Sequence, residues 1–245
     1  MIKTVIVDLD GTLVETEHLK AISYARAAVE LCPGCATEEQ VVNAFKDLVG
    51  KSRHEVAQGL VERFGLEDAA RSRMAEFGVS APWQAYVQIR LRIFDEMMAN
   101  PETIKESACS ETIALLEEAK HMGFRTALTT TSACKRTTHI LRVLGLDKEF
   151  DFIATADDVE HTKPDPEVYC ITLRHLGPPA RECVALEDSL PGIQAALAAE
   201  VWCIAVPTDF TRDAVEKANV LDPKWIVDES LESVFKRMLA EQETR

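Results

Sequence analysis

From about residue 110 onward the chain alternates short apolar runs with stretches of helical periodicity, and this alternation restricts the fold more than any other feature. ETIALLEEAKHMG reads as a helix closed by Gly123, FRTALTT as a strand, and ACKRTTHILRVLG as a helix ending at Gly145. DFIATADD is a strand ending in acids, followed by the helix PEVYCITLRHLG, the strand ECVALED, the helix PGIQAALAAE and the strand VWCIAVP. WIVDES reads as a last, edge-like strand. Strands separated by helices need crossover connections, which are right-handed, so the sheet is expected to be mainly parallel and doubly wound.

The first strand lies far upstream. Val5, Ile6 and Val7 form a run apolar on both faces, as a central strand of a covered parallel sheet requires. Between about 17 and 98 only helical spacing occurs, in AISYARAAVEL, TEEQVVNAFKDLV, RHEVAQGLVERFG and PWQAYVQIRLRIFDEMM, with Thr37 and Gln40 spaced as a capping box. The expected organisation is therefore an α/β core from 1–16 and 99–245 with an all-α insertion at 17–98.

Lys and Arg number 27 against 41 Asp and Glu, a net charge of −14, which argues against a nucleic-acid footprint or an anionic membrane surface. No apolar stretch reaches the length of a membrane span, and the N-terminus lacks a signal-type pattern, so the expected location is cytoplasmic. The seven cysteines, scattered mostly through apolar segments, read as reduced core residues. Cys32 and Cys35 flank a Pro-Gly turn, CPGC, for which a structural role outweighs a redox or zinc site.

The carboxyl ends of parallel strands lie on one rim, where α/β sheets bind ligands. Four strand ends bring chemistry there: Asp8 and Asp10 before Gly11, Thr129 to Ser132 in TTTS, Asp157 and Asp158, and Glu187 and Asp188 in LEDS. Lys163, in HTKPDP, follows the third. Converging carboxylates repel unless a cation intervenes, and Mg²⁺, a hard ion with oxygen ligands, suits them. Lysine and threonine among such acids suit a phosphate. A carboxylate can attack phosphorus, and a second acid can protonate the leaving oxygen and then activate water. Each residue also has a plainer reading: Lys163 as a solvated loop lysine, Thr130 as a β-branched strand residue, and Asp188 or Ser189 as the cap of a helix with Pro191 in its first turn.

DLDGT, TTTS, the lysine of KPDP and LEDSLPGIQAA, taken in order, resemble the four motifs of the haloacid dehalogenase-like hydrolases. The resemblance implies a Rossmann-like core with a helical cap. It assigns Asp8 as nucleophile, Asp10 as acid/base, Thr130 as the phosphate-binding hydroxyl and Lys163 as the neutralising cation. Mg²⁺ would be held by Asp8, Asp10, Glu187 and Asp188, and the substrate would be a small phosphorylated metabolite also met by Thr131 and Ser132.

The segment 186–196 is similar to the β-phosphoglucomutase-like and CbbY-like sugar-phosphate enzymes. VGKSRHEV resembles the cap segment that places a substrate-contacting arginine, here Arg53, beside Gly50; the alternative is a charge on a helix surface. The same stretch is not a nucleotide P-loop, because Phe45 occupies the required earlier glycine and no strand precedes it.

Lys20 stands where those mutases and many CbbY-like members carry histidine, and Ala133 and Cys134 replace the mutase Lys-Asn pair. The resemblance thus favours a phosphatase acting on a sugar phosphate, with a phosphosugar mutase as the alternative. Haloacid dehalogenation has no use for Asp10. A phospho-acceptor signalling domain would place its acceptor Asp after a later strand and be about half as long, and a catalytically dead binding protein would not retain these acids.

Overall fold

A computed structural model describes residues 1–243 of the chain. It divides into two compact units, one formed by Met1–Glu15 with the chain from Ile104 onward, the other by Thr16–Thr103.

The first unit is built on five parallel strands: β1 (Thr4–Val7), β2 (Arg125–Thr129), β3 (Phe152–Ala154), β4 (Cys183–Glu187) and β5 (Trp202–Ala205). Their order is β3-β2-β1-β4-β5. The chain runs outward from β1 in one direction and then returns to β1's other side with β4. The reversal makes a crevice at the carboxyl ends of β1 and β4, the place where such sheets bind ligands. All four residues of β1 are buried, which explains the apolar run Val5, Ile6 and Val7 that follows Thr4. Val7 is in register with Leu128 on one side and Leu186 on the other, so the residues just beyond each come to the rim together.

The second unit carries helices α1 (Thr16–Leu31), α2 (Glu38–Lys46), α3 (Arg53–Phe64), α4 (Glu67–Ser72), α5 (Met74–Phe77) and α6 (Pro82–Ala99). Tyr24, Phe45 and Tyr86 form its aromatic centre, with ring centroids 5.5 and 5.7 Å from Tyr24, and the Tyr86 hydroxyl donates to the Tyr24 carbonyl at 2.7 Å. The Thr37–Gln40 capping box opens α2 as its spacing indicates. A second box, Ser52 with Glu55, opens α3, so the stretch that superficially resembles a P-loop is a helix cap.

Helix α7 (Pro101–Glu106) leads back to the first unit, whose remaining helices are α8 (Ser110–His121), α9 (Cys134–Leu144), α10 (Glu167–Leu176), α11 (Leu190–Ala198), α12 (Arg212–Ala218) and α13 (Leu231–Glu243). The two chain crossings are paired as a short antiparallel bridge: Glu15 N–H donates to the Ser107 carbonyl at 2.8 Å and Cys109 N–H to the Leu13 carbonyl at 2.9 Å. No helix among the described residues is long and apolar enough to cross a membrane.

Two expectations need correction. WIVDES is not a strand: Pro223–Trp225 form a 3₁₀ turn capped by Asp222, and pairing with β5 is limited to the single bridge Ala205–Ile226. The ladder cannot continue, because the next donor on the β5 side would be residue 207, a proline without an N–H; the Val227 carbonyl accepts from Arg212 Nη2 at 3.1 Å. Nor are all seven cysteines reduced. Gly34, at φ +96°, turns the chain so that Cys32 and Cys35 come to a Cα separation of 5.5 Å and form a disulfide, while Cys109, Cys134, Cys170, Cys183 and Cys203 are free.

Candidate active site

Asp8 follows β1 and is tied to β4 by its N–H, which donates to the Leu186 carbonyl at 3.0 Å. This bond aligns Asp8 with Glu187, the last residue of β4, and Asp188 follows. One oxygen from each of these three carboxylates lies within 4.8 Å of the others, and all three side chains are buried. Such proximity depends on Gly11: at φ +83°, its missing Cβ would stand 2.2 Å from Asp188 Oδ2. Gly192, in α11, performs the same service for Glu187, whose Oε2 would meet a Cβ there at 1.9 Å. Ser189 caps α11, accepting from Gly192 N–H at 3.4 Å, and Pro191 lies in its first turn.

Lys163 reaches into this group with only 4% of its side chain exposed. Its Nζ donates to Asp8 Oδ1 at 2.6 Å, Glu187 Oε1 at 2.6 Å and the Thr129 carbonyl at 2.9 Å. An ammonium has three hydrogens, and all three are engaged, so its position is fixed. Burial would push Lys163 down, but Asp8 and Glu187 hold it above the ordinary lysine value. Burial pushes Asp8 up to about 8: Lys163 opposes the rise, while Glu187 and Asp10 reinforce it.

Asp10 has separate partners. Its Oδ2 accepts from Ser132 Oγ at 2.6 Å and, at 3.4 Å, from Thr130 Oγ1. Thr130 Oγ1 in turn accepts from Ser132 N–H at 3.0 Å. The loop after β2 is thus folded against Asp10, and the Asp10 carboxylate is not one of the three that cluster tightly enough for a shared metal. Thr131 is exposed.

The acids after β3 do not join the group. β3 ends at Ala154, and Thr155 caps a 3₁₀ turn. Asp158 Oδ2 accepts from Thr155 N–H and Oγ1, both at 2.8 Å, while Asp157 Oδ2 accepts from Cys134 N–H at 2.9 Å, at the start of α9. Asp158 thus serves its own turn, the ordinary use of Asp there, while Asp157 serves a backbone donor 23 residues back in the chain.

Gly50 and Arg53 belong to the helical unit, Gly50 in a turn at φ +85° and Arg53 exposed as the first residue of α3. Arg53, Lys20 and Arg90 all lie near enough to Tyr24 to oppose the rise in its phenol that burial causes. Arg90 stacks its guanidinium 4.9 Å from the Tyr24 ring centroid and 4.6 Å from that of Phe94. Lys20 is paired with Glu17.

The cluster fits a divalent cation. All its donors are oxygens, the preference of Mg²⁺, and Glu187 Oε2 is buried without a hydrogen-bond partner. Burial is the main cause of the upward push on Asp8, and the neighbouring acids Glu187 and Asp10 add to it.

The chain is similar to several known proteins. The family described as haloacid dehalogenase-like hydrolase matches residues 2–200. Protein CbbY of Cereibacter sphaeroides is 33% identical over 219 residues, covering 86% of this chain and 87% of that protein. A phosphorylated carbohydrates phosphatase of Thermotoga maritima is 27% identical over 199 residues, 81% of this chain and 82% of that one. The crystal structure of CbbY from Rhodobacter sphaeroides in complex with xylulose-1,5-bisphosphate matches with a TM-score of 0.58 at 28% identity, over 87% of this chain and 89% of that chain.

Proposed function

The chain belongs to the haloacid dehalogenase-like hydrolase family, and on that premise we propose that it is a Mg²⁺-dependent phosphatase that hydrolyses a small sugar phosphate through an aspartyl phosphate on Asp8. The observation carrying this reading is the pair of hydrogen bonds that Lys163 Nζ donates to Asp8 and Glu187, each at 2.6 Å, on the rim where β1 and β4 end. It leaves a carboxylate held still, with positive charge beside it, where a phosphoryl group would be received.

An Asp8 oxygen forms the new bond to phosphorus as the ester P–O bond breaks, and Asp10 gives its proton to the departing alkoxide. Asp10, now a carboxylate, takes a proton from water; the water oxygen attacks phosphorus, inorganic phosphate leaves, and Asp8 is regenerated. Ser132 and Thr130 hold Asp10 in place for both transfers. Lys163 balances charge on the phosphoryl oxygens. Mg²⁺, with Asp8, Glu187 and Asp188 as its protein ligands, would supply further neutralisation of the phosphoryl group.

The sugar-phosphate assignment is supported by the Thermotoga maritima relative, named a phosphorylated carbohydrates phosphatase, and by the CbbY crystal structure, which holds xylulose-1,5-bisphosphate. In this reading the helical unit sets specificity, and Arg53 contributes a cation to the part of the substrate remote from the reacting phosphate.

The test is a panel of phosphorylated sugars, including bisphosphates, with Mg²⁺, reading free phosphate. One arm uses β-glucose 1-phosphate with a trace of glucose 1,6-bisphosphate and measures glucose 6-phosphate separately. Phosphate release without a bisphosphate requirement is expected. Rapid glucose 6-phosphate formation with little free phosphate would replace the phosphatase reading with the mutase one.

A further inference from the structure

We propose that Tyr169 is a positioning residue for the phosphoryl-transfer site, acting through Glu187 to hold Lys163 against Asp8. This rests on the reading of Lys163 and Asp8 given above. Tyr169 lies in α10, six positions after Lys163, and is fully buried. In sequence it is one more apolar position of a helix. In the folded chain its hydroxyl donates to Glu187 Oε1, the same oxygen that receives Lys163, and its ring lies under the ammonium, with Nζ 5.5 Å from the centroid.

The balance of donors makes the hydroxyl necessary. Glu187 is a carboxylate with no exposed surface, so protein donors or a cation must satisfy it. The three Lys163 hydrogens are already divided among Asp8, Glu187 and the Thr129 carbonyl. Without a second donor, Glu187 would draw the ammonium toward itself and away from Asp8. The Tyr169 hydroxyl meets part of that demand, and its ring face limits where the ammonium can move. Aromatic packing alone would require a ring at this position but not its hydroxyl.

The variant that isolates the hydroxyl is Tyr169→Phe, measured in two ways. Steady-state kinetics on the best phosphorylated sugar should show kcat reduced about tenfold, as for loss of a hydrogen bond to a charged group, with KM within about twofold. Isothermal calorimetry with Mg²⁺ alone should show affinity weakened severalfold. In a Glu187→Ala background the same Tyr169→Phe change should alter either quantity less than about twofold, because the group through which it acts is gone.

Wild-type kcat and Mg²⁺ affinity in Tyr169→Phe, or an equal loss in both backgrounds, would overturn the proposal and return Tyr169 to a packing role. If Glu187→Ala does not fold, the Mg²⁺ titration of Tyr169→Phe decides alone: weakened affinity supports the proposal and unchanged affinity overturns it. If the wild-type chain releases no phosphate from any substrate, the functional reading fails separately, and the same calorimetric result decides the role of Tyr169.

Discussion

A Cβ on Gly11 would stand 2.2 Å from Asp188 Oδ2. The turn after the first strand and the acid after the fourth are therefore packed to a distance that only glycine permits. Gly11→Ala combines this clash with the cost of φ +83° for a residue bearing a side chain, about 1–2 kcal/mol. Asp188 must move, and calorimetric Mg²⁺ affinity should fall by at least about tenfold, the effect of displacing one oxygen ligand. Gly123→Ala is the control, since it has φ +81° but nothing within 4 Å of the added carbon. It should lower the melting temperature while leaving Mg²⁺ affinity intact. Equal losses of affinity in both variants would show that backbone strain alone, not the approach to Asp188, matters at Gly11.

The burial of Asp8 among other acids gives Mg²⁺ binding a definite pH dependence. Asp8 is pushed from its ordinary 3.8 up to about 8, first by burial, against the pull of Lys163. A raised carboxyl pKa in the folded state favours folding while protonated, so its contribution is full below about pH 4 and is lost as pH rises toward 8. Mg²⁺ needs the ionised form and should relieve that loss. The increase in melting temperature on adding saturating Mg²⁺ should accordingly be larger at pH 8 than at pH 5.5, and Asp8→Asn should flatten the difference. A gain independent of pH in the wild-type chain would contradict this.

Much of the core is readable because each signal is local. Strand β1 is apolar from Val5 to Val7 since it is covered on both faces, and Ser189 with Pro191 marks the start of α11 by capping chemistry that needs only neighbouring residues. Reading fails where a long-range partner decides. Asp157 looks like a rim residue, yet a backbone donor at the start of α9 claims it. The segment around Ile226 has strand composition, but Pro207, just past the facing strand, has no N–H to continue the pairing. Tyr169 carries no signal in sequence, because a buried tyrosine in a helix is ordinary until its hydroxyl is seen to reach Glu187. The disulfide at Cys32 and Cys35 follows from the turn between them, which the CPGC spacing shows, whereas the oxidation state does not follow from composition.

Arg53 tests the role assigned to the helical unit. It is exposed, so removing its side chain should leave the melting temperature within about 1 °C, as for a surface substitution. Arg53→Ala should lower kcat/KM for the preferred sugar phosphate by about tenfold or more while changing turnover of a small aryl phosphate less than about twofold, because only the larger substrate has a remote part for a cation to meet. The two substrates measured side by side decide it. Equal loss on both, or none on either, would make Arg53 a helix-surface charge with no part in recognition.

The central claim is covalent capture of phosphate by Asp8, and chemical trapping tests it most directly. The enzyme would be mixed with Mg²⁺ and its best substrate, quenched in acid during turnover and reduced with borohydride, which converts an acyl phosphate to the corresponding alcohol. Peptide mass spectrometry then locates the change. Conversion of Asp8 to homoserine, present only with substrate and absent in Asp8→Asn, is the predicted result; steady phosphate release with Asp8 unmodified, or with the label on another carboxylate, would contradict it.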